Sequence, residues 1–258
     1  MPSGAPRRTS PARPGRLAGV DALKGLTVIS MALFHWCYDL SHLFGVPLAF
    51  FRPPLLDVWR ASISWTFLFV AGWMCSYSRS LPRRGARYLL VALGIYAATS
   101  AVGVDAPISF GIIFCMGAST LLAALLGRYG LPRGGRATTL SLVALFVLSL
   151  NVPAGFLGVG PVLMRLPQGL YATPWLAWLG FPDALFCSGD YYPLLPYGLM
   201  YLAGASFGRG LSATSATAAL GRSVCRPLEW LGRHSLVAYL VHQPLLLALG
   251  AVLTGKVP

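Results

Sequence analysis

Charge is what this sequence has least of. Asp, Glu, Lys and Arg make up 10% of its 258 residues, against about 25% in an ordinary soluble domain. Only 7 residues are acidic, and Glu229 is the single glutamate. With 56% hydrophobic residues and a mean hydropathy of +0.66, the chain cannot cover a water-facing surface, which excludes an ordinary soluble globule. Histidine is also rare, with 4 in all, and no Cys/His grouping has ligand spacing, so no metal site is expected. The 5 cysteines form no framework: Cys75 and Cys115 lie in apolar runs and Cys225 among basic residues, which leaves Cys37 and Cys187 the one pair that could meet. A structural disulfide is not expected. The shortage of acid leaves a net charge of +13, but the basic residues sit between apolar segments rather than on one soluble face, so nucleic acid is not the partner.

What the sequence does have is apolar runs. Seven can be drawn, 20–42, 58–78, 87–104, 107–127, 137–153, 193–208 and 234–254, each near the roughly 20 residues that cross a hydrocarbon core of about 30 Å. They predict an all-α polytopic bundle of about seven transmembrane helices, with the lipid bilayer as its solvent. The tail with Lys24 and the segments 79–87, 128–136 and 209–233 hold 16 of the 20 Lys and Arg, while the alternate loops hold Arg52, Arg60, Arg165 and Lys256. That asymmetry places the amino terminus inside. Residues 1–16, with proline and arginine and no apolar run, read as a disordered cytoplasmic tail. The transmembrane domain then runs over 17–255. Within it, 153–192 is rich in Pro, Gly and aromatics and reads as an outer loop or lid.

Polar residues inside apolar helices are costly and point to function. In the first run, His35, Asp39 and His42 follow at spacings of four and three, which puts them on one helical face. A carboxylate one turn from an imidazole can hold it as a general base, and it can equally tie helices together in lipid. Asp21 lies fourteen residues before His35, about 21 Å away at 1.5 Å per residue, and with Lys24 reads as an ion pair at the cytoplasmic boundary. In the last run His242 and Gln243 precede Pro244, which frees the Leu240 carbonyl and loosens the helix beside them. Such a polar midpoint suits either a substrate cavity or a structural contact. In the loop, Asp183 and Asp190 offer acceptors to hydroxyl groups.

The stretch VDALKGLTVISMALFHWCYDL resembles the "IDxLRG…MxxFHxxYDL" opening of bacterial proteins related to the catalytic domain of heparan-alpha-glucosaminide N-acetyltransferase. FLFVAGWMCSYSRS, FGIIFCMGASTLL, DYYPLLPYGLMYLAG and LEWLGRHSLVAYLVHQPLL agree with further blocks of that family in the same order. The resemblance covers Arg16 to Leu249. It departs at Lys24, where the family usually has Arg, and at Phe114, where relatives often carry His.

The resemblance implies a transmembrane acyltransferase of a bacterial inner membrane. Such an enzyme takes an acetyl or other acyl group from cytosolic acyl-CoA and gives it to an amino or hydroxyl group of a cell-envelope sugar or glycan. His35 matches the family's intramembrane histidine, with Asp39 and His242 as the other expected catalytic residues. Asp21, Lys24, Arg83, Arg84, Arg87, Arg233, Gln243, Asp183 and Asp190 are the expected binding residues. The arginines would attract the CoA phosphates, a role that competes with that of ordinary positive-inside anchors. A homo-oligomer is compatible with this reading. The rival is a transporter or lipid-handling protein in which His35, Asp39 and His242 relay protons.

Overall fold

The computed structural model describes residues 17–211, 221 and 223–256. The expected tail at 1–16 and part of the basic segment 209–233 lie outside the described residues. The chain is mostly helical. Helix α1 (Ala18–Tyr38) continues into a π-helical turn (Asp39–Leu43) and is followed by α2 (Leu55–Cys75), α3 (Leu81–Val102), α4 (Ile112–Gly127) and α5 (Arg136–Ser149). An irregular stretch carries one antiparallel hairpin, β1 (Phe156–Val159) with β2 (Val162–Arg165), paired from Phe156↔Arg165 to Val159↔Val162. After it come α6 (Leu194–Leu211), the short α7 (Arg226–Arg233) and α8 (Ser235–Thr254).

All seven apolar runs are helices, but their ends move. Helix α3 begins at Leu81 rather than 87, because Pro82 in its first turn presets the backbone, so Arg83, Arg84 and Arg87 lie on the helix and not in a loop. Helix α4 begins five residues later than expected, at Ile112. Pro107, the positive φ of Phe110 (34°) and the extended Gly111 delay it. The segment after Arg209 is not one loop: α7 forms within it, opened by Pro227 and anchored by Glu229, whose Oε1 accepts from Ser223 Oγ (2.6 Å) and from the Val224 and Cys225 amides.

Among the described residues four helical stretches are long and apolar enough to cross a membrane, Ala18–Leu43, Leu81–Val102, Arg136–Ala154 and Ser235–Thr254, and Ile112–Gly127 is apolar but shorter. Leu26, Leu33, Leu90, Leu93, Leu140 and Val252 stand more than half exposed on these helices. An outward belt of this kind is stable only against hydrocarbon, where helices keep their backbone polar groups paired internally. The chain is an integral membrane protein.

Inside, Leu68, Cys115, Phe146, Tyr201 and Ala205 form the main core between α2, α4, α5 and α6, and Thr120 and Tyr201 join their hydroxyls there at 2.7 Å. A second core, Val28, Met31, Phe34, Phe51 and Ile63, packs α1 on α2. Helices in lipid gain no hydrophobic drive toward one another and rely on close backbone approach at small residues. Two reciprocal pairs supply it. A Cβ on Gly72 would stand 1.8 Å from the Tyr201 carbonyl oxygen and one on Gly204 1.9 Å from that of Phe69, locking α2 to α6. Gly25 and Gly232 meet the Leu228 and Asp21 carbonyl oxygens in the same way, locking α1 to α7.

These contacts separate two glycine substitutions. Gly232→Val forces side chain into backbone and should cost about 1–3 kcal/mol as overpacking does. Gly94→Ala, in the middle of α3 with nothing within 4 Å, should gain about 0.5–1 kcal/mol from helix propensity. Thermal unfolding in detergent, followed by circular dichroism, reads both; equal effects would show that the α1–α7 contact is not tight.

Candidate active site

The site forms where the C-terminal half of α1 meets the middle of α8. His35 and His242 face each other across the two helices, ring centroids 4.9 Å apart at 62°. One turn beyond, the wholly buried Asp39 receives Gln243 Nε2 on both carboxylate oxygens, at 2.9 and 3.1 Å. Four polar residues singled out in two distant segments therefore come together. The π-helical turn that starts at Asp39, closed by the Phe44 amide on the Asp39 carbonyl (2.9 Å), adds a residue to the turn and changes which side chains share a face. His42 leaves the face expected for it: exposed, it stacks on Tyr38 (4.5 Å, 14°).

Protonation at His242 follows from its partner. Its Nδ1 is 2.6 Å from the Tyr239 carbonyl oxygen, which only accepts, so Nδ1 carries the proton and Nε2 the lone pair. Among the described residues that buried Nε2 has no partner, and neither has Gln243 Oε1. Orphaned buried acceptors are rare and costly. Here two of them sit on consecutive residues, and Asp39 fixes one of them by holding the amide's NH2 end.

Aromatic packing holds His35 from the other side. Phe34 meets the His35 ring edge-on (5.8 Å) and is backed by Phe51 and Trp59, while Trp59 Nε1 donates to Ser30 Oγ one turn earlier on α1 (2.9 Å). The expected pairing of Asp39 with His35 is replaced by the Gln243 bridge, since the carboxylate's oxygens turn across to α8.

The other expected residues lie elsewhere. Lys24 Nζ is 3.0 Å from Asp21 Oδ1, an ion pair beneath α7. Arg84 is half-buried, donating to the Ala71 carbonyl (3.2 Å) with its guanidinium 5.6 Å from the Tyr88 ring centre. Arg83, Arg87 and Arg233 are exposed. Asp183 lines a cavity of about 450 Å³ in the loop, with Arg165, Gln168 and Tyr171. Asp190 caps α4, accepting from the Ile112 amide at 3.2 Å.

Hydrogen bonds fix the segment 153–192 to 107–112, through Ser188 with Ser109 and Tyr192 with Phe110, and Tyr171 donates its hydroxyl to the Val152 carbonyl. The C-terminal end of α1 is met by Phe44, Phe51 and Asp105, whose carboxylate accepts from the Tyr38 hydroxyl (3.2 Å). All five cysteines are free thiols. Among the described residues no three His, Cys, Asp or Glu gather as metal ligands. Tyr239, Glu229 and Asp105 were not singled out in the sequence. Tyr239 alone left a signal there, standing one turn before His242 on an apolar helix.

Fold and site together define a polytopic helical membrane protein with a half-buried histidine pair and a carboxylate–amide bridge between its first and last described helices. The chain belongs to the heparan-alpha-glucosaminide N-acetyltransferase catalytic family, whose model matches residues 16–244. That span ends just past His242 and Gln243. No curated protein and no solved structure matches the chain.

Asp190 generates a pH dependence. Loss of water around its carboxyl raises its pKa from 3.8 to about 6, with the Ile112 amide and the Arg60 charge pulling the other way. Its folded value lies above the unfolded one, so its contribution to stability is complete below pH 3.8 and is lost as pH rises through about 6. Melting temperature in detergent should fall over that window, and Asp190→Asn, which keeps an acceptor for the Ile112 amide, should flatten the slope. An unchanged slope in that variant would assign the titration to another group.

Proposed function

We propose that this protein is a transmembrane acyltransferase that moves an acetyl or other acyl group from cytosolic acyl-CoA to an amino or hydroxyl group of a cell-envelope sugar or glycan. The carrying observation is the meeting of His35 with His242 beside a Gln243 whose amide is held by Asp39. Family membership supports the reaction class, and the apolar belt supports the membrane setting.

In this reading an imidazole of the pair takes the proton from the acceptor as its N or O attacks the thioester carbonyl; the C–S bond breaks and the CoA thiolate leaves, recovering a proton. His242 Nε2 carries an unshared lone pair in a water-poor site, as a base requires. Gln243 Oε1 accepts from a second N–H of an amine acceptor, or from a neighbouring hydroxyl of the sugar, and orients it. Asp39 acts through Gln243 and is a positioning residue. On the cytoplasmic side, the exposed Arg83, Arg87 and Arg233 supply charge for the CoA phosphates; Arg84 is engaged with α2.

The same reading carries a topology: seven crossings with Met1 inside and Pro258 outside, in a bacterial inner membrane. It follows from the division of Lys and Arg between alternate loops, 16 to 4. The segment 153–192 then lies on the outer side as the cover of the bundle. A reporter fused after Pro258 should be active outside the cytoplasm, and activity only in the cytoplasm would overturn the seven-span arrangement.

The test of function is transfer from acetyl-CoA in membranes with matched expression. His35→Ala and His242→Ala should each lower it by a factor of about 10²–10⁴, the range of a positioned acid–base group. Asp39→Asn should lower it by about 10² or more with the protein still folded. Should acyl-histidine form, labelled acetyl will remain on the wild type without acceptor and be absent from His35→Ala. Near-normal turnover in both histidine variants would hand the site to the proton-relay reading.

A further inference from the structure

A second cavity, of about 460 Å³, lies between the middle of α3, the start of α4 and α8. Leu89, Ala92, Ile95, Phe110 and Ile113 line it with Tyr239, and none of its lining residues is charged. Its volume is in the range of about 300–1,000 Å³ typical of ligand pockets. It opens beside Leu93 and Tyr96, which are 63% and 46% exposed on the outward face of α3, so its mouth faces hydrocarbon.

Tyr239 stands between this cavity and the active site. Its ring lies on the cavity wall and stands 5.5 Å from the His242 ring, and its carbonyl fixes the His242 tautomer. A groove merely coated with bulk lipid needs no wall shared with the reacting histidine. A carbonyl placed at the His35–His242 pair has an apolar space on the far side of Tyr239, and an acetyl group, with a single methyl, cannot reach into it.

We propose that this cavity receives the hydrocarbon chain of the transferred acyl group, so that the protein accepts acyl groups longer than acetyl. The inference rests on the acyl-transfer reading above. The thioester carbonyl sits at the histidine pair and the chain passes Tyr239 to lie between α3 and α4, entering from the bilayer or from the donor's side. Burial of the chain adds binding that acetyl lacks.

The experiment uses the full chain in liposomes, with glucosamine as acceptor, and follows release of the CoA thiol from acetyl-CoA and octanoyl-CoA. Octanoyl-CoA should be turned over at least as well as acetyl-CoA. Ala92→Phe should lower octanoyl turnover by about tenfold or more while acetyl turnover stays within about twofold, as expected when a pocket is shortened by a few carbons. Leu93→Phe, at the exposed mouth, provides the milder filling should Ala92→Phe not accumulate. Turnover of acetyl-CoA alone would overturn the proposal and leave an acceptor's tail or bilayer lipid as the occupant. Equal loss of both donors in the filled variants would overturn it as well, showing a structural cavity. Thiol release from neither donor would overturn the acyl-transfer reading itself, and the inference with it.

Discussion

Between α1 and α7 the backbones touch. A Cβ on Gly232 would stand 1.8 Å from the Asp21 carbonyl oxygen, and one on Gly25 2.1 Å from that of Leu228. This approach, available only to glycine, sets where α8 begins, because Ser235 follows Arg233 with one residue between. From there the helical rise of 1.5 Å per residue carries the chain about 10 Å to His242, which is the level of His35. The Asp21–Lys24 pair, read from the sequence as an ion pair at the boundary, lies in the same contact, beside the helices that place the histidines. Glu229 adds to this by gathering the chain ahead of α7 onto one carboxylate oxygen.

The second constraint is electrostatic. Asp39 is wholly buried, and a carboxylate in such a place needs donors. It receives one amide, Gln243, whose orientation is thereby decided: the NH2 faces the carboxylate, and Oε1 faces away with no partner among the described residues. The same helix turn leaves His242 Nε2 open. Low surrounding polarity strengthens whatever binds these atoms and makes them costly to leave bare. A site that stays so in the folded chain is organised before any substrate arrives, which is the condition for electrostatic catalysis.

Much of this was legible in the residues. His35 and Asp39 stood out because they interrupt an apolar helix, and His242 and Gln243 because a proline follows them. The helical character of all seven apolar runs also followed from length and composition. What pattern could not reveal were features set by contact at long range. The π-helical turn that follows Asp39 has no compositional mark, yet it sends His42 outward from the face of His35 and Asp39. Arg83 and Arg84 look like a loop by charge, whereas Pro82 starts a helix under them. Asp190 looks like a surface acid and proves to cap α4, and only the approach of 188–192 to 107–112 makes that so. The bridge from Asp39 to Gln243 joins positions 204 residues apart, beyond the reach of any periodicity.

Helix α8 shows how closely structure and chemistry are joined. Only Gly250 of its residues is buried, so little packing holds it to the bundle. Its tethers are α7 at one end, the Asp39–Gln243 bridge in the middle, and at the far end Gly250 against the Phe44 ring with Lys256 Nζ on the Phe44 carbonyl (2.9 Å). The middle tether is itself part of the site, and Pro244 beside it withholds a backbone hydrogen bond from the helix. Any displacement of α8 that separates Gln243 from Asp39 also moves His242 away from His35 and Tyr239 along its cavity. The histidine pair and one wall of the apolar cavity are therefore carried by the same helix, and the bridge that holds that helix in place belongs to the site.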